Sequence, residues 1–190
     1  GLNEIRIFGP NLPPEIRNDI LKDARPLRRP PAQSFNLALG RPVSSSGSFR
    51  SNFNANRTVD GLINDETISS SSYSCWLTPN GTGGQITIDL GEIQPLRLVE
   101  IQNTTNGTIH DRGTKDFRLL VSTDGTTFLE QGKGTLPPPT GSPSPFIPVS
   151  LEDVPVRFLK IVADSYYGHG AGLSEIRAFA APTSHPSNDQ

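Results

Sequence analysis

From Phe35 onward the chain is cut into short β-type runs by Gly, Pro, Asn and Asp, and this punctuation limits it to a fold built of many short strands. In "QITIDLG", Ile86, Ile88 and Leu90 fall on one face of an alternating pattern, and "LRLVEIQN" resumes the pattern after Pro95. "DFRLLVSTDGTTFLEQ" carries Asp124-Gly125, a hairpin signal, and "VRFLKIVAD" precedes a closing "GLSEIRAFA". Strands at this spacing predict a β-sandwich. "LPPPTGSPSPFIP" is excluded as a central strand, because its prolines remove ladder donors, and is expected as a surface loop before the "VSL" strand.

Composition supports the same class. Of 190 residues, 33% are hydrophobic and 19% charged, with 18 Gly and 18 Pro, a balance that favours turns over long helices. That length accommodates one domain of about 100 to 150 residues with segments to spare. The formal net charge is −2, so no broad basic field exists for a phosphate backbone and nucleic acid is not an expected partner. No run of about 18 apolar residues, the length a membrane helix needs, is present.

The first nine residues, "GLNEIRIFG", repeat "GLSEIRAFA" of residues 172–180 at six of nine positions. Residues 10–34 read as a Pro-rich linker with a short helical turn, in which Ile16, Ile20 and Leu21 make a narrow apolar stripe ended by Pro26. Residues 182–190 read as a flexible tail. Cys75 is the sole cysteine, so no internal disulfide can form, whereas the sequons at Asn56, Asn80, Asn103 and Asn106 point to an extracellular or cell-surface setting.

Five segments in order, "NLALGRPVSSSGSF", "NRTVDG", "QITIDLGEIQPLRLVEIQN", "DRGTKDFRLLVSTDG" and "SYYGHGAGLSEIRAF", resemble the F5/8 type C, or discoidin, family and its galactose-binding-like carbohydrate-binding modules. The resemblance covers residues 35–181 and implies an all-β, eight-stranded jelly-roll sandwich without catalysis, whose loops at one end bind glycan, lipid headgroup or protein. It also gives residues 1–9 a meaning. They look like the closing strand of a preceding discoidin-like domain, and pairing of that strand with an exposed sheet edge is the alternative.

The resemblance further implies a structural calcium ion, with Asp60 of the "VDG" turn and Glu175 of the closing strand as charged ligands. Backbone oxygens of Arg57, Leu62 and Ser174, and a Ser or Thr from "DETISSSSYS", would add neutral ones, in keeping with a cation that takes six to eight oxygens. The plain alternative makes Asp60 an Asx-turn residue and Glu175 a solvated or salt-bridged strand residue. Glu4, the counterpart of Glu175 in the opening repeat, lacks such a turn and is not expected to bind.

Galactose-type relatives use a His after the loop Trp and an Arg at the end of the following strand; here Leu77-Thr78 and Asn103 stand in those places. The expected ligand surface is therefore Asn103 to Lys115 and Tyr166 to Gly170, with Asn103, His110, Asp111, Arg112, Tyr166, Tyr167 and His169 as contacts. Aromatic faces stack on sugar rings while charged groups bond hydroxyls. Alternatively Arg112 and Lys115 pair with Asp111 and Asp116 to shape the loop, and a tyrosine caps the core. Trp76 and Cys75 are expected in the core, the latter as an inert thiol. No zinc spacing, nucleophile elbow, phosphate loop or dinucleotide fingerprint occurs. A non-catalytic binding or adhesion module of a larger protein follows, recognising glycan or protein; the alternatives are a structural block of an assembly and an accessory module of a carbohydrate-active enzyme.

Overall fold

The computed structural model describes residues 35–63, 73–105, 109–139 and 143–180. Contacts divide the chain into Gly1–Gln33 and Ser34–Gln190, and everything described lies in the second unit. The expectations for residues 1–34 and for 182–190 fall outside the described residues.

Strand segments β1 (Val43–Ser45), β2 (Trp76–Leu77), β3 (Gly84–Gln102), β4 (Arg112–Thr114), β5 (Asp116–Ser122), β6 (Leu129–Thr135), β7 (Phe146–Ala163), β8 (Tyr166–Gly168), β9 (Gly172–Leu173) and β10 (Glu175–Ala180) are joined by two 3-10 turns, Ser51–Phe53 and Ala55–Thr58. The main sheet runs β1-β3-β7-β5-β6, with β10 also on β3, and every pairing is antiparallel. Two strands are long: β3 has 19 residues and β7 has 18. Their mutual register slips between Asp89 and Gln94 and again between Leu96 and Leu98. Such bulges bend a strand, so the two halves of each serve different layers. The first half of β3 meets β1, with Ile88 opposite Val43, and the second meets β10, with Ile101 opposite Ile176.

The apolar alternation becomes a single interior. Ile86, Ile88, Leu119, Leu159 and Ile161 from one layer share a cluster with Leu96, Val99, Ile101, Ile176 and Ala178 from the other, all 0–1% exposed. Burying each large aliphatic side chain contributes roughly 1.5–3 kcal/mol. This is the β-sandwich that the periodicity predicts. Trp76 lies in the same cluster at 0% exposure, as expected, with its indole N–H donated to the Gly47 carbonyl at 2.8 Å.

The proline-rich stretch is partly a correction. Phe146–Pro148 belong to β7 and are not loop, because this half of β7 pairs only with β3. Proline is tolerated in a strand at such an edge, where one side of the backbone has no ladder to donate to. The Asp124-Gly125 signal holds: Gly125 takes φ +76°, and Asp124 Oδ1 accepts from the amides of Thr126 and Thr127 at 2.8 Å each. Two short ladders, β2–β9 and β4–β8, stitch the connecting segments together.

Candidate functional site

The "VDG" turn is brought against the closing strand. Asp60 Oδ1 accepts from the Leu62 amide at 3.0 Å, and its Oδ2 accepts from the Ser74 hydroxyl. Gly61 holds φ +77°, a conformation that glycine adopts without strain, and donates its N–H to Glu175 Oε2 at 3.3 Å. Glu175 is 0% exposed, and its Oε1 has no hydrogen-bond partner among the described residues. Burial first, then the neighbouring negative charge of Asp60, pushes the Glu175 carboxyl up to about 8. A buried, unpartnered carboxylate oxygen beside a second carboxylate is costly unless a proton or cation sits there.

The donor set fits a hard cation. Besides the two carboxylates, Ser74 Oγ, which donates to Asp60, also lies 3.5 Å from the Arg57 carbonyl, which brings a neutral oxygen to the same turn. Ser74 belongs to the Ser/Thr stretch expected to contribute. Leu62 is an exposed turn residue at 53%, and Ser174 is buried, its N–H donated to the Gln102 carbonyl at 3.0 Å. The Asx-turn expected as the plain alternative is present, with Asp60 Oδ1 accepting from the Leu62 amide.

At the loop end, segments distant in sequence are tied through backbone bonds. Phe49 N–H donates to Leu77 O at 2.7 Å, Gly81 N–H to His169 O at 2.8 Å, and His169 N–H to Asp111 O at 2.7 Å. Gly168, at φ +65°, permits that last approach, since a Cβ there would lie 2.3 Å from the Asp111 carbonyl oxygen. Arg112 is the hub. Its guanidinium donates to Thr78 O at 3.0 Å and to Asn80 Oδ1, lies 3.7 Å from Asp111, and packs 3.9 Å from the Phe49 ring centroid.

Several expected ligand residues are thereby placed. His110 and His169 are exposed, Asp111 is half-buried, and Tyr166 and Tyr167 are half-buried on β8, with the Tyr167 hydroxyl donated to Leu136 O at 2.9 Å. Asn103 requires correction. It is 0% exposed, its amide donates to Thr114 O and Pro137 O, and its oxygen accepts from Thr104 and Thr114 amides. An amide satisfied at both ends has no capacity left for a ligand, and its burial leaves no room for a sugar on that sequon. Arg112, only 6% exposed, organises the loops more than it faces solvent. Asn56 and Asn80 are exposed, while Asn106 lies outside the described residues.

Of the ion pairs considered for this loop, Arg112–Asp111 forms, whereas Asp116 accepts hydroxyls of Ser165 and Thr135. Phe49, Arg50 and Asn80 also gather at this loop end, a placement that pattern reading missed. The signal available was the aromatic two residues after Gly47 in "SGSFR". Cys75 is buried and its thiol is pushed up to about 12 by burial, an environment that suppresses thiolate chemistry.

This two-layer sandwich with a capping loop end defines a class, and the family follows from sequence. The family model for the F5/8 type C domain matches residues 42–177, and the chain belongs to that family. Its fold is similar to chitosan-binding module 1 from a chitosanase/glucanase of Paenibacillus sp. IK-5, with a TM-score of 0.57 and 18% identity over 77% of this chain and 99% of that one. CBM32-3 from a family 31 glycoside hydrolase of Clostridium perfringens aligns with a TM-score of 0.60 and 14% identity, covering 78% and 95%. A Streptococcus pneumoniae fucose binding module aligns at 0.58 and 21%, covering 78% and 96%. No curated protein matches the sequence.

Proposed function

We propose that this chain is a non-catalytic glycan-binding module that works at the cell exterior within a larger protein. The observation that carries this reading is the convergence of the loops holding Phe49, Asn80, Asp111 and His169 at one end of the sandwich, leaving His169 and Asn80 exposed around a half-buried ring. An aromatic body ringed by hydrogen-bonding groups is the chemistry that saccharides need. Membership of the F5/8 type C family and likeness to modules described as chitosan-binding and fucose binding support it. The exposed sequon at Asn56, away from this loop end, supports the exterior setting.

A calcium ion held by Asp60 and Glu175, with the Arg57 carbonyl, belongs to the same proposal. When bound it would supply the positive charge that Glu175 Oε1 lacks, fixing the turn against β10. The repeat at residues 1–9 supports a tandem arrangement with a further discoidin-like module. A second reading, a structural block of an assembly, is favoured by the internal use of Asn103 and Arg112, whose polar atoms tie loops together.

A glycan array probed in millimolar calcium, with and without chelator, tests the proposal. Retention on a saccharide class through the loop end is expected. Silence across galactosides, fucosides and amino sugars would favour the structural block.

A further inference from the structure

We propose that the loop end is built for an acidic saccharide, one carrying carboxylate or sulfate, with Arg50, held beside the Phe49 ring, as the anion contact. This rests on the glycan-binding reading and narrows it to a charge class.

Two guanidinium groups share one ring. Arg112 lies 3.9 Å and Arg50 4.9 Å from the Phe49 centroid. Their situations differ. Arg112 is buried, donates to Thr78 and Asn80 within the chain, and has Asp111 alongside at 3.7 Å. Arg50 is exposed and makes no ion pair among the described residues. Its planar fork of N–H donors therefore keeps its capacity for a bidentate acceptor, and carboxylate and sulfate oxygens match that fork.

The ring is held in place. Trp76 donates to Gly47 O at 2.8 Å and Phe49 N–H to Leu77 O at 2.7 Å, which anchors the segment on both sides of Ser48. Cations over an aromatic face are attracted by its quadrupole, yet two like charges on one ring repel each other, and a bound anion would relieve that repulsion. The charge placement is local. The chain as a whole carries −2, while at the Phe49 ring two arginines meet and, among the described residues, only Arg112 has a paired carboxylate, that of Asp111. A neutral sugar would gain little from this arrangement, and a cationic amino sugar would be opposed by it.

The test compares oligosaccharides of equal length: neutral galactose, galacturonate, sulfated galactose and cationic glucosamine. Isothermal titration at low and high salt is read together with amide shifts of the intact chain. The expected result is binding of at least one acidic oligomer about tenfold tighter than the neutral one, weakened by salt, with shifts at Phe49, Arg50, Asn80 and His169. Preference between galacturonate and the sulfated oligomer identifies which anion is the source. Arg50→Ala should erase the advantage and Arg50→Glu should invert it, while unchanged melting temperatures show that both variants fold. Neutral and acidic oligomers binding equally through these residues would overturn the charge assignment and leave the glycan reading standing. Acidic binding that survives Arg50→Ala would overturn the role of Arg50. Silence of every oligomer, without amide shifts, would overturn both readings.

Discussion

At the Asp60–Leu62 turn, a fully buried oxygen of Glu175 has no hydrogen-bond partner among the described residues, while at the loop end the equally buried Asn103 amide uses both its ends in four hydrogen bonds. The first region is incomplete from protein atoms alone and asks for a proton or cation. The second is finished by the chain itself. The difference teaches how the two should respond to conditions: the turn through pH and cation concentration, the loop latch through neither.

The largest effect should come from the finished region. Asn103→Ala removes four bonds and strands backbone groups, so a loss of about 3–4 kcal/mol, or roughly 10 °C in melting temperature, is expected. The loss should be the same in calcium and in chelator, and a loss confined to calcium would break the contrast.

The pH response of the turn comes next. The Glu175 carboxyl is raised in the folded chain to about 8, so the folded state binds its proton more tightly than the unfolded chain does. In chelator that stabilisation should be fully present below the ordinary carboxylate pKa and be lost as pH rises through about 8. Calcium should flatten the profile, and Glu175→Gln should flatten it without calcium. A pH-independent melting temperature in chelator would remove the claim that this carboxyl is under electrostatic pressure.

Asp60→Ala sharpens the comparison further. Lowered stability by about 2 kcal/mol in calcium, against little change in chelator, is the expected pattern, because the lost turn bonds are offset by relief of repulsion on Glu175. Equal loss in both conditions would leave Asp60 as a turn residue only. The smallest effect belongs to a reference site outside both regions. Amides of Thr126 and Thr127 hold the exposed Asp124 carboxyl down at about 2, so its contribution should be present above the ordinary carboxylate range and fade as pH falls towards that value. Asp124→Ala should lower the melting temperature by about 2 °C near neutral pH, and a larger drop would mark the hairpin as more than a local turn.

How far the molecule is legible without coordinates differs between these regions for a physical reason. Ile86, Ile88 and Leu90 declare their common face through a period of two, which the backbone itself imposes. The convergence of Asp60 on Glu175, 115 positions apart, came only through likeness to a family, because no local pattern reports a contact of that range. The internal use of the Asn103 amide was not legible, and for Arg112 the loop-shaping alternative could not be told from the ligand one, since a polar residue in a turn-rich segment looks the same whether it points to water or to buried carbonyls.

The order of short runs and turns by itself determined that this chain would close into layered antiparallel strands, because alternation and turn chemistry act within a few residues. Which carboxylate oxygen would be left without a partner, which arginine would be consumed and which left exposed over Phe49 was decided only in the tertiary structure. Those outcomes depend on what distant segments place next to a given atom, and hydrogen bonding and burial are settled by that proximity and not by residue type.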